Sequence, residues 1–374
     1  MPRFAGSGNC FPPGQGMTQI KKNMTIEKEL WGKALDGKEI FLYTIKNNDG
    51  AFVRLSSVGA GIVGIGVPDR DGKLADVVLG YTKPEDYFGD GPCAGKCPGR
   101  YANRIAKGRF TLDGVEYELP VNNGPNHLHG GPDGFQNKVW DSRQVGDNAV
   151  EFMYFSQDGE AGYPGNLKVV AHYEWGEDNA LKLTITAETD KATVVNLTNH
   201  AYFNLNGEGN GDILGHELKL NSSVYLPSDD TLIPLGEPDP VAGTPMDFLE
   251  AKELGKEIKE DFPALNYGKG YDNCFVINDY EPGQLQLAAE LYAKESGRKL
   301  TILTTQPGVQ VYTGNWLAGC PVGKCGRSYN DYEGVALECQ RFPDSPNQPE
   351  YPTTVLRPGE TYQEAIIWQF STQE

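Results

Sequence analysis

Basic residues, histidines and long apolar runs are all scarce in this chain of 374 residues. Lys and Arg number 33 against 51 Asp and Glu, which gives a formal net charge of −18. A surface of that sign repels a phosphate backbone, so we expect no nucleic-acid partner. No window approaches the roughly 20 apolar residues that a membrane helix requires, so we expect no membrane partner either.

The first residues also lack a feature, namely the apolar stretch of a secretory signal, and are rich in Gly and Pro instead. We interpret residues 1–24 as a flexible leader and residues 25–374 as a single domain, because no linker or fixed-period repeat interrupts them. A cytoplasmic location is the expectation. An envelope or secreted location stays open if a signal has been removed.

The seven cysteines are an odd number in a long chain, which argues against a disulfide framework. Cys93 and Cys97, with Cys320 and Cys325, have spacings at the loose end of the zinc-ligand range. Nothing nearby resembles a zinc finger or ribbon, so unpaired thiols in Gly-rich loops are the favoured interpretation. We expect no metal and, without a nucleotide fingerprint, no cofactor.

Residues that shape turns are abundant, with 46 Gly and 25 Pro, and this content disfavours a helical bundle. Apolar and polar side chains alternate over residues 181–188, which is typical of a half-buried strand. Asp113-Gly114 stands between two alternating runs and predicts a two-residue hairpin turn. Further strand-like runs begin at positions 149, 167, 284, 299 and 362.

Strands that are not separated by helices cannot form right-handed parallel crossovers, so the sheets should be antiparallel. We therefore predict a mainly β protein, a large antiparallel β-sandwich with few short helices. Helical spacing of apolar and charged residues occurs at 247–260 and predicts a helix there, although the segment contains Gly255.

Two of the five histidines lie in unusual surroundings. His129 is followed by Gly130 and Gly131, which let backbone approach closely behind it. His200 follows a β-branched apolar run and has asparagines on both sides, although Asn is depleted from strands. That density of amides indicates a polar pocket built into a sheet. We interpret His172 and His216 as structural or solvent-facing.

Among the many carboxylates, Glu338 is distinctive because apolar residues flank it in GVALECQRF, where an unpaired charge is costly to bury. Asp272 has a similar setting at the edge of an apolar run. A salt bridge or a turn cap is the ordinary alternative for each. Arg100 and Arg104 bracket RYANR, whose rigid donors suit sugar hydroxyl groups, and 39 aromatic residues suit the apolar faces of sugars.

At these residues the sequence resembles the aldose 1-epimerase family, the galactose mutarotases, from about residue 25 to about residue 370. Nine motifs occur in family order: GRYANRIAKGRF, NHLHGGPDGF, GYPGNL, NLTNHAYFNLNG, LIPLGEPDPVAGTPMDF, YDNCF, TTQPGVQVYTGN, LECQRFPDSPNQP and LRPGETY. The resemblance implies the antiparallel β-supersandwich of that family. The segment GPCAGKCPGR departs from the usual pattern and is expected to change the rim of the pocket.

The resemblance also implies roles for particular residues. Glu338 is the implied general base and His200 the implied general acid. The residues implied to hold the pyranose are Asn103, Arg104, His129, Asp272 and Gln310, with Tyr202 as a supporting contact. The expected partner is a small monosaccharide, no cofactor or metal is implied, and we expect a monomer or weak dimer.

The implied reaction interconverts the α and β anomers of free aldohexoses such as glucose and galactose. Glu338 would take the C1 hydroxyl proton while protonated His200 donates to the ring oxygen, so that the ring opens. Rotation about C1–C2 and closure with reversed roles would complete the change. We expect burial to raise the pKa of Glu338 and the pH profile to be bell-shaped.

Three other functions stay open. A non-catalytic carbohydrate-binding protein on the same fold is one, although binding alone would not require a matched acid and base. A glycoside hydrolase with Glu338 and Asp272 as paired carboxylates is another. A hexose-6-phosphate epimerase is the third, and it would need additional basic residues for the phosphate.

Overall fold

The computed structural model describes residues 24–373, so positions 1–23 of the predicted leader lie outside the described residues. The first thirteen strands are β1 (Thr25–Lys33), β2 (Glu39–Lys46), β3 (Phe52–Ser56), β4 (Gly61–Pro68), β5 (Leu74–Asp76), β6 (Arg104–Ile105), β7 (Arg109–Leu112), β8 (Val115–Glu118), β9 (His127–Leu128), β10 (Asp141–Val145), β11 (Ala149–Ser156), β12 (Leu167–Trp175) and β13 (Ala180–Thr189).

The remaining strands are β14 (Thr193–Val194), β15 (Tyr202–Phe203), β16 (His216–Leu220), β17 (Val224–Tyr225), β18 (Asp239–Pro240), β19 (Lys252–Glu253), β20 (Asp272–Val276), β21 (Gln286–Ala293), β22 (Arg298–Thr304), β23 (Gly308–Tyr312), β24 (Val335–Gln340), β25 (Val355–Leu356) and β26 (Tyr362–Thr372).

Helices are few and short. The α-helix α1 spans Pro263–Gly268, and 3-10 helices span Pro84–Tyr87, Ala106–Gly108, Phe135–Asn137, Glu160–Gly162 and Ser345–Asn347. In this part of the chain, no helix combines the length and apolar character that crossing a membrane demands.

Three sheets in the described range have five or more strands. A five-stranded sheet has the order β1-β2-β3-β4-β5, and a nine-stranded sheet has the order β10-β11-β12-β13-β26-β22-β21-β16-β19. A six-stranded sheet has the order β15-β24-β23-β20-β17-β18. All pairings between these strands are antiparallel. The prediction of a mainly β, antiparallel supersandwich is confirmed.

Side-chain alternation explains how these sheets pack. Along β13, Leu181, Leu183 and Ile185 are buried while Lys182 is exposed, as the sequence predicts. The largest apolar cluster combines residues of all three large sheets, so one core lies between them. Since each strand presents alternate residues to that core, burial of its apolar face stabilises the sheet–sheet contact.

The Asp113-Gly114 turn forms as predicted. It connects β7 to β8, and its two residues have φ angles of 52° and 81°. Two successive positive φ angles match the right-handed twist of a hairpin, and Asp followed by Gly adopts them at low cost.

The helix predicted at 247–260 is wrong. The segment instead contains the short strand β19, and α1 begins only at Pro263. Its backbone N–H groups bond to a different part of the chain instead of within a helix: the Leu254 N–H donates to His216 O and the Gly255 N–H donates to Leu214 O. The apolar spacing reflects packing of irregular chain against β16.

Candidate active site

Glu338 lies near the middle of β24, whose six residues are all buried. Strands β15 and β23 flank β24, and the residue is only 2% exposed. Its Oε2 atom has no hydrogen-bond partner among residues 24–373. An unpaired buried carboxylate oxygen is costly, so this depth and orientation mark a group that is available to a ligand. The burial expected from the flanking apolar residues is confirmed.

Strands β23 and β20 bring an amide and a second carboxylate to the same face. Gln310 is directly opposite Glu338 in the antiparallel register, so their side chains project to the same side of the sheet. Gln310 Nε2 donates to Asp272 Oδ1 at 2.7 Å. Arg104 Nη2 lies 3.9 Å from the other oxygen, Asp272 Oδ2. Asp272 is thereby held between an amide and a guanidinium.

His200 lies two residues before Tyr202, the first residue of β15, and its ring faces Glu338. The distance from His200 Nε2 to Glu338 Oε1 is 3.4 Å. The Tyr202 ring packs on the imidazole with centroids 4.9 Å apart. Because the Tyr202 hydroxyl donates to Pro92 O at 2.8 Å, its proton is already engaged. Tyr202 therefore contributes its ring surface and an accepting oxygen.

His129 and Asn103 hold each other through reciprocal hydrogen bonds. The Asn103 N–H donates to His129 Nδ1, and the His129 N–H donates to Asn103 O, both at 3.0 Å. Since Nδ1 accepts, the neutral ring carries its proton on Nε2 and presents a donor. Both residues have positive φ, 63° for Asn103 and 52° for His129, a strained region that is common at functional sites.

The backbone around Gly130, the residue that follows His129, leaves no room for a side chain. Its φ is 77°, and a Cβ atom there would lie 1.8 Å from Gly99 O. Only glycine fits such an approach. The close backbone contact that the sequence indicates behind His129 is present.

Of the arginines around RYANR, only Arg104 reaches the site. Its Nε donates to Asn123 Oδ1 at 3.0 Å, which orients the guanidinium toward Asp272. Arg100 is buried elsewhere and donates to Pro164 O at 2.7 Å, while Arg109 is an exposed hairpin residue. Spacing in sequence did not distinguish these roles.

The predicted residues surround a cavity of about 600 Å³. Seven of the eight line it: Asn103, Arg104, His129, His200, Tyr202, Asp272 and Glu338. Gln310 is 3% exposed and lies in the wall behind Asp272. The volume is ample for a hexose, and the site is a concave cavity with convergent polar groups.

Sequence reasoning missed several lining residues, which are Asn123, Thr231, Tyr267, Tyr312 and Trp316. Tyr312 is inside a family motif and Trp316 directly follows that motif, so the motif's end was the available signal. Trp316 is 64% exposed at the rim, and Lys269 Nζ lies 4.3 Å from its ring centroid. The rim therefore offers an aromatic face to a ligand.

Burial shifts the two central groups in opposite directions. It raises the pKa of Glu338 well above its usual range, and the charge of Asp272 adds to the rise while Arg104 opposes it. Burial lowers the pKa of His200 to about 4, below the ordinary value of about 6.5. The expected rise for Glu338 is confirmed. These shifts favour neutral imidazole with a protonated carboxyl over imidazolium with a carboxylate, two forms of the pair that hold the same number of protons.

Three groups of the cavity lie close enough together to be considered as metal ligands. One donor atom from each of His129, His200 and Glu338 lies within 4.8 Å of the others. The tautomer of His129 opposes a metal, because its Nε2 carries the proton while Nδ1 accepts from Asn103.

The cysteines do not converge on a metal site in the described range, where the one cluster with suitable spacing contains no cysteine. Cys93, Cys97 and Cys320 are free and buried, and Cys325 is free and exposed. Burial raises the pKa of the Cys97 thiol to about 11, which disfavours the thiolate that zinc requires.

Comparison with known proteins agrees with the geometry. The family model for aldose 1-epimerases matches residues 42–369. The galactose mutarotase of Rattus norvegicus is 45% identical, covering 85% of this chain and 91% of its own. The aldose 1-epimerase of Escherichia coli K12 is 39% identical, covering 90% and 97%.

A solved structure shows the same likeness. The crystal structure of the GalM/aldose epimerase homologue from C. elegans is 30% identical, covers 89% of this chain and 99% of its own, and has a TM-score of 0.82. With the family match spanning most of the sequence and the predicted acid and base meeting in one cavity, the chain belongs to the aldose 1-epimerase family.

Proposed function

We propose that Glu338 and His200 carry out the family's reaction in this chain, which is the interconversion of the α and β anomers of free aldohexoses such as glucose and galactose. The observation that carries the proposal is the 3.4 Å approach of His200 Nε2 to Glu338 Oε1 on the floor of the cavity. The names of the relatives, galactose mutarotase and aldose 1-epimerase, support the same reaction.

The reaction needs two proton transfers and no other chemistry. Glu338 takes the proton of the C1 hydroxyl while protonated His200 donates to the ring oxygen. The C1–ring oxygen bond breaks, the electron pair stays on that oxygen, and C1 becomes an aldehyde carbon. Rotation about C1–C2 exposes the other carbonyl face. Ring closure reverses both transfers and returns each group to its starting state.

The resting proton distribution is compatible with this order of events. Neutral His200 with protonated Glu338 and imidazolium with carboxylate differ only in where one proton lies. Their ratio is therefore independent of pH, and substrate hydroxyl groups that replace lost hydration can favour the charged form.

The pH dependence follows from the number of protons on the pair. Below a pH of about 4 both groups are protonated, so no base is available. Above the raised pKa of Glu338 neither group is protonated, so no acid remains. Activity is expected to be bell-shaped, with its acid limb near pH 4 rather than near the ordinary histidine pKa.

The other predicted residues are suited to hold the sugar. His129 presents Nε2–H, Arg104 presents guanidinium donors, and Asp272 presents an accepting oxygen toward the cavity. Fixed donors and acceptors of this kind reduce the freedom of the pyranose and align C1 and the ring oxygen with the acid and base.

The alternatives fit less well. Arg104 is the one cation among the residues that line the cavity in the described chain, against the carboxylates Asp230 and Asp272, so the cavity lacks the additional basic residues that a sugar phosphate would need. A glycoside hydrolase would use Asp272 as a free carboxylate, but Gln310 and Arg104 already hold it. We also propose that the protein is a monomer or weak dimer that works in the cytoplasm on a monosaccharide.

Polarimetry of freshly dissolved α-glucose and α-galactose tests the proposal. The unmodified protein should accelerate the approach to the equilibrium rotation, and Glu338→Gln should lose that acceleration while still binding sugar in calorimetry. Incubation with nitrophenyl glycosides should release no nitrophenol. Sugar binding without any acceleration by the unmodified protein would favour the non-catalytic alternative and overturn the proposal.

A further inference from the structure

A fully buried ion pair joins Asp90 and Lys96, in the chain that precedes the RYANR segment. Lys96 and Asp90 have side chains that are 0% exposed, and Lys96 Nζ lies 2.5 Å from Asp90 Oδ1. Lys96 Nζ also donates to Tyr87 O, and it lies 3.4 Å from Asn137 Oδ1. Asp90 Oδ2 accepts from the Ala94 N–H at 2.9 Å. The pair thereby folds residues 90–96 back on themselves.

The backbone of the same segment holds His200 on both sides. The His200 N–H donates to Lys96 O at 2.8 Å, and the Gly95 N–H donates to His200 O at 2.9 Å. Pro92 O accepts from the Tyr202 hydroxyl at 2.8 Å. The backbone of the proposed general acid, His200, is therefore hydrogen-bonded to residues 95 and 96, whose path the ion pair fixes.

Stability alone does not account for such a pair. Removing two charges from water costs several kcal/mol per ion, and apolar replacements of buried pairs are often neutral or stabilising. The charge of Lys96 does reach the catalytic imidazole, since it contributes to the lowered pKa of His200. Burial is the larger cause of that lowering.

Several other titratable groups face His200 from the elements packed around it. They are Glu338 on β24, Tyr202 on β15, Tyr312 on β23 and His129 after β9. All four of these residues line the substrate cavity. Lys96 is distinct because it does not line the substrate cavity and is joined to His200 through the backbone of its own segment.

We propose that Lys96, fixed by Asp90, is a positioning residue for His200: the pair sets the path of residues 90–96, whose backbone holds His200 on both sides, and supplies a cation whose charge acts on the imidazole. This inference rests on the proposed function of His200 as the acid. The cation disfavours a second positive charge on the ring, so the proton returns to Glu338 or passes to the sugar.

The test compares Lys96→Met with Lys324→Met in the full chain. Lys324 is a matched control because its Nζ also binds one Asp, at 2.7 Å from Asp76 Oδ2, and two carbonyl oxygens. We expect Lys96→Met to lower kcat at least about tenfold with little change in KM, and to raise the pKa of His200 by roughly half a unit or more. Lys324→Met should lower the stability of the protein but leave kcat and the pKa of His200 unchanged.

The pKa of His200 is measured by NMR titration of its ring proton, which five histidines make assignable by single substitutions. This measurement does not depend on turnover. If the unmodified protein failed to accelerate mutarotation, the proposed function would fall, whereas the NMR titration would still judge the role of Lys96.

A double variant separates the cation from simple packing. Lys96→Met leaves the Asp90 carboxylate buried and unpaired, which is itself damaging. Lys96→Met combined with Asp90→Asn removes that charge and keeps an acceptor for the Ala94 N–H. We expect the double variant to be stable yet still to show low kcat and a raised His200 pKa. Recovery of both to the unmodified values would overturn the proposal.

Discussion

His200 and His216 lie in different regions of the molecule and are alike in several respects. They are 4% and 1% exposed, and burial lowers the pKa of each to about 4. In residues 24–373 neither Nδ1 atom has a hydrogen-bond partner. Burial and a shifted pKa therefore do not by themselves distinguish a catalytic histidine from a structural one.

Their neighbours make the difference. His216 belongs to the nine-stranded sheet, its Nε2 accepts from the Leu205 N–H at 2.9 Å, and burial is the one cause of its pKa shift. His200 turns Nε2 toward Glu338, a second titratable group whose pKa moves the other way. Two groups whose surroundings separate their proton affinities at one cavity are the pattern expected of an acid/base site, which is the role proposed for this pair.

The largest effect expected from this comparison is on turnover. His200→Gln removes the proposed proton donor to the ring oxygen, so kcat should fall by roughly 10² to 10⁴-fold. His216→Gln keeps an acceptor for the Leu205 N–H and touches nothing in the cavity, so kcat should remain close to that of the unmodified protein. Polarimetry at saturating α-glucose measures both.

Circular dichroism of the two variants provides the control, since each must be folded at the assay temperature. A folded His216→Gln protein that lost as much activity as His200→Gln would end the distinction between the two regions.

The next effect concerns stability in acid. The unfolded pKa of histidine is about 6.5, whereas His216 in the folded chain has a pKa of about 4. Between these values the unfolded state binds more protons, so this contribution to stability is present above about pH 6.5 and is lost as pH falls toward 4. The linkage amounts to about 3 kcal/mol.

Urea unfolding at pH 7 and pH 4.5 measures this loss. In His216→Gln, the decrease in unfolding free energy between the two pH values should be smaller than in the unmodified protein by about 2 to 3 kcal/mol. Leu218→Ala on the same strand is the control: it should lower stability at both pH values and leave the difference between them unchanged. An unchanged difference in His216→Gln would mean that this histidine is not held neutral.

The sequence predicted the nine-stranded sheet better than it predicted the cavity. Alternation over 181–188 was sufficient to predict strand β13, because in a half-buried strand every second side chain is buried and apolar. The same reasoning failed at 247–260, where Leu254 and Ile258 are buried by contacts with distant chain instead of by a helix. The spacing of apolar residues therefore indicates which residues are buried. It predicts a helix or a strand only where the buried residues recur at a regular interval.

Within the cavity, Glu338 was detectable because a carboxylate among apolar residues is anomalous on its own strand. Trp316 was not, since an exposed aromatic residue after a loop glycine is ordinary until the fold brings it to the cavity rim. The family motifs supplied His129 and Gln310, whose roles depend on Asn103 and Asp272 far away in the sequence.

The smallest effect expected is at that rim. Trp316 is largely exposed and lies at the rim of the cavity, so its ring can cover a face of the sugar without taking part in the proton transfers. An aromatic contact of this kind is worth about 0.5 to 1.5 kcal/mol, so Trp316→Ala should raise KM roughly two- to tenfold and leave kcat unchanged. Trp316→Phe, which retains a ring, should keep KM nearer to the unmodified value. Initial rates over a range of α-galactose concentrations separate the two constants. A fall in kcat at constant KM would place Trp316 with His200 and Glu338 in transition-state stabilisation, and the division between a binding rim and a catalytic floor would then be wrong.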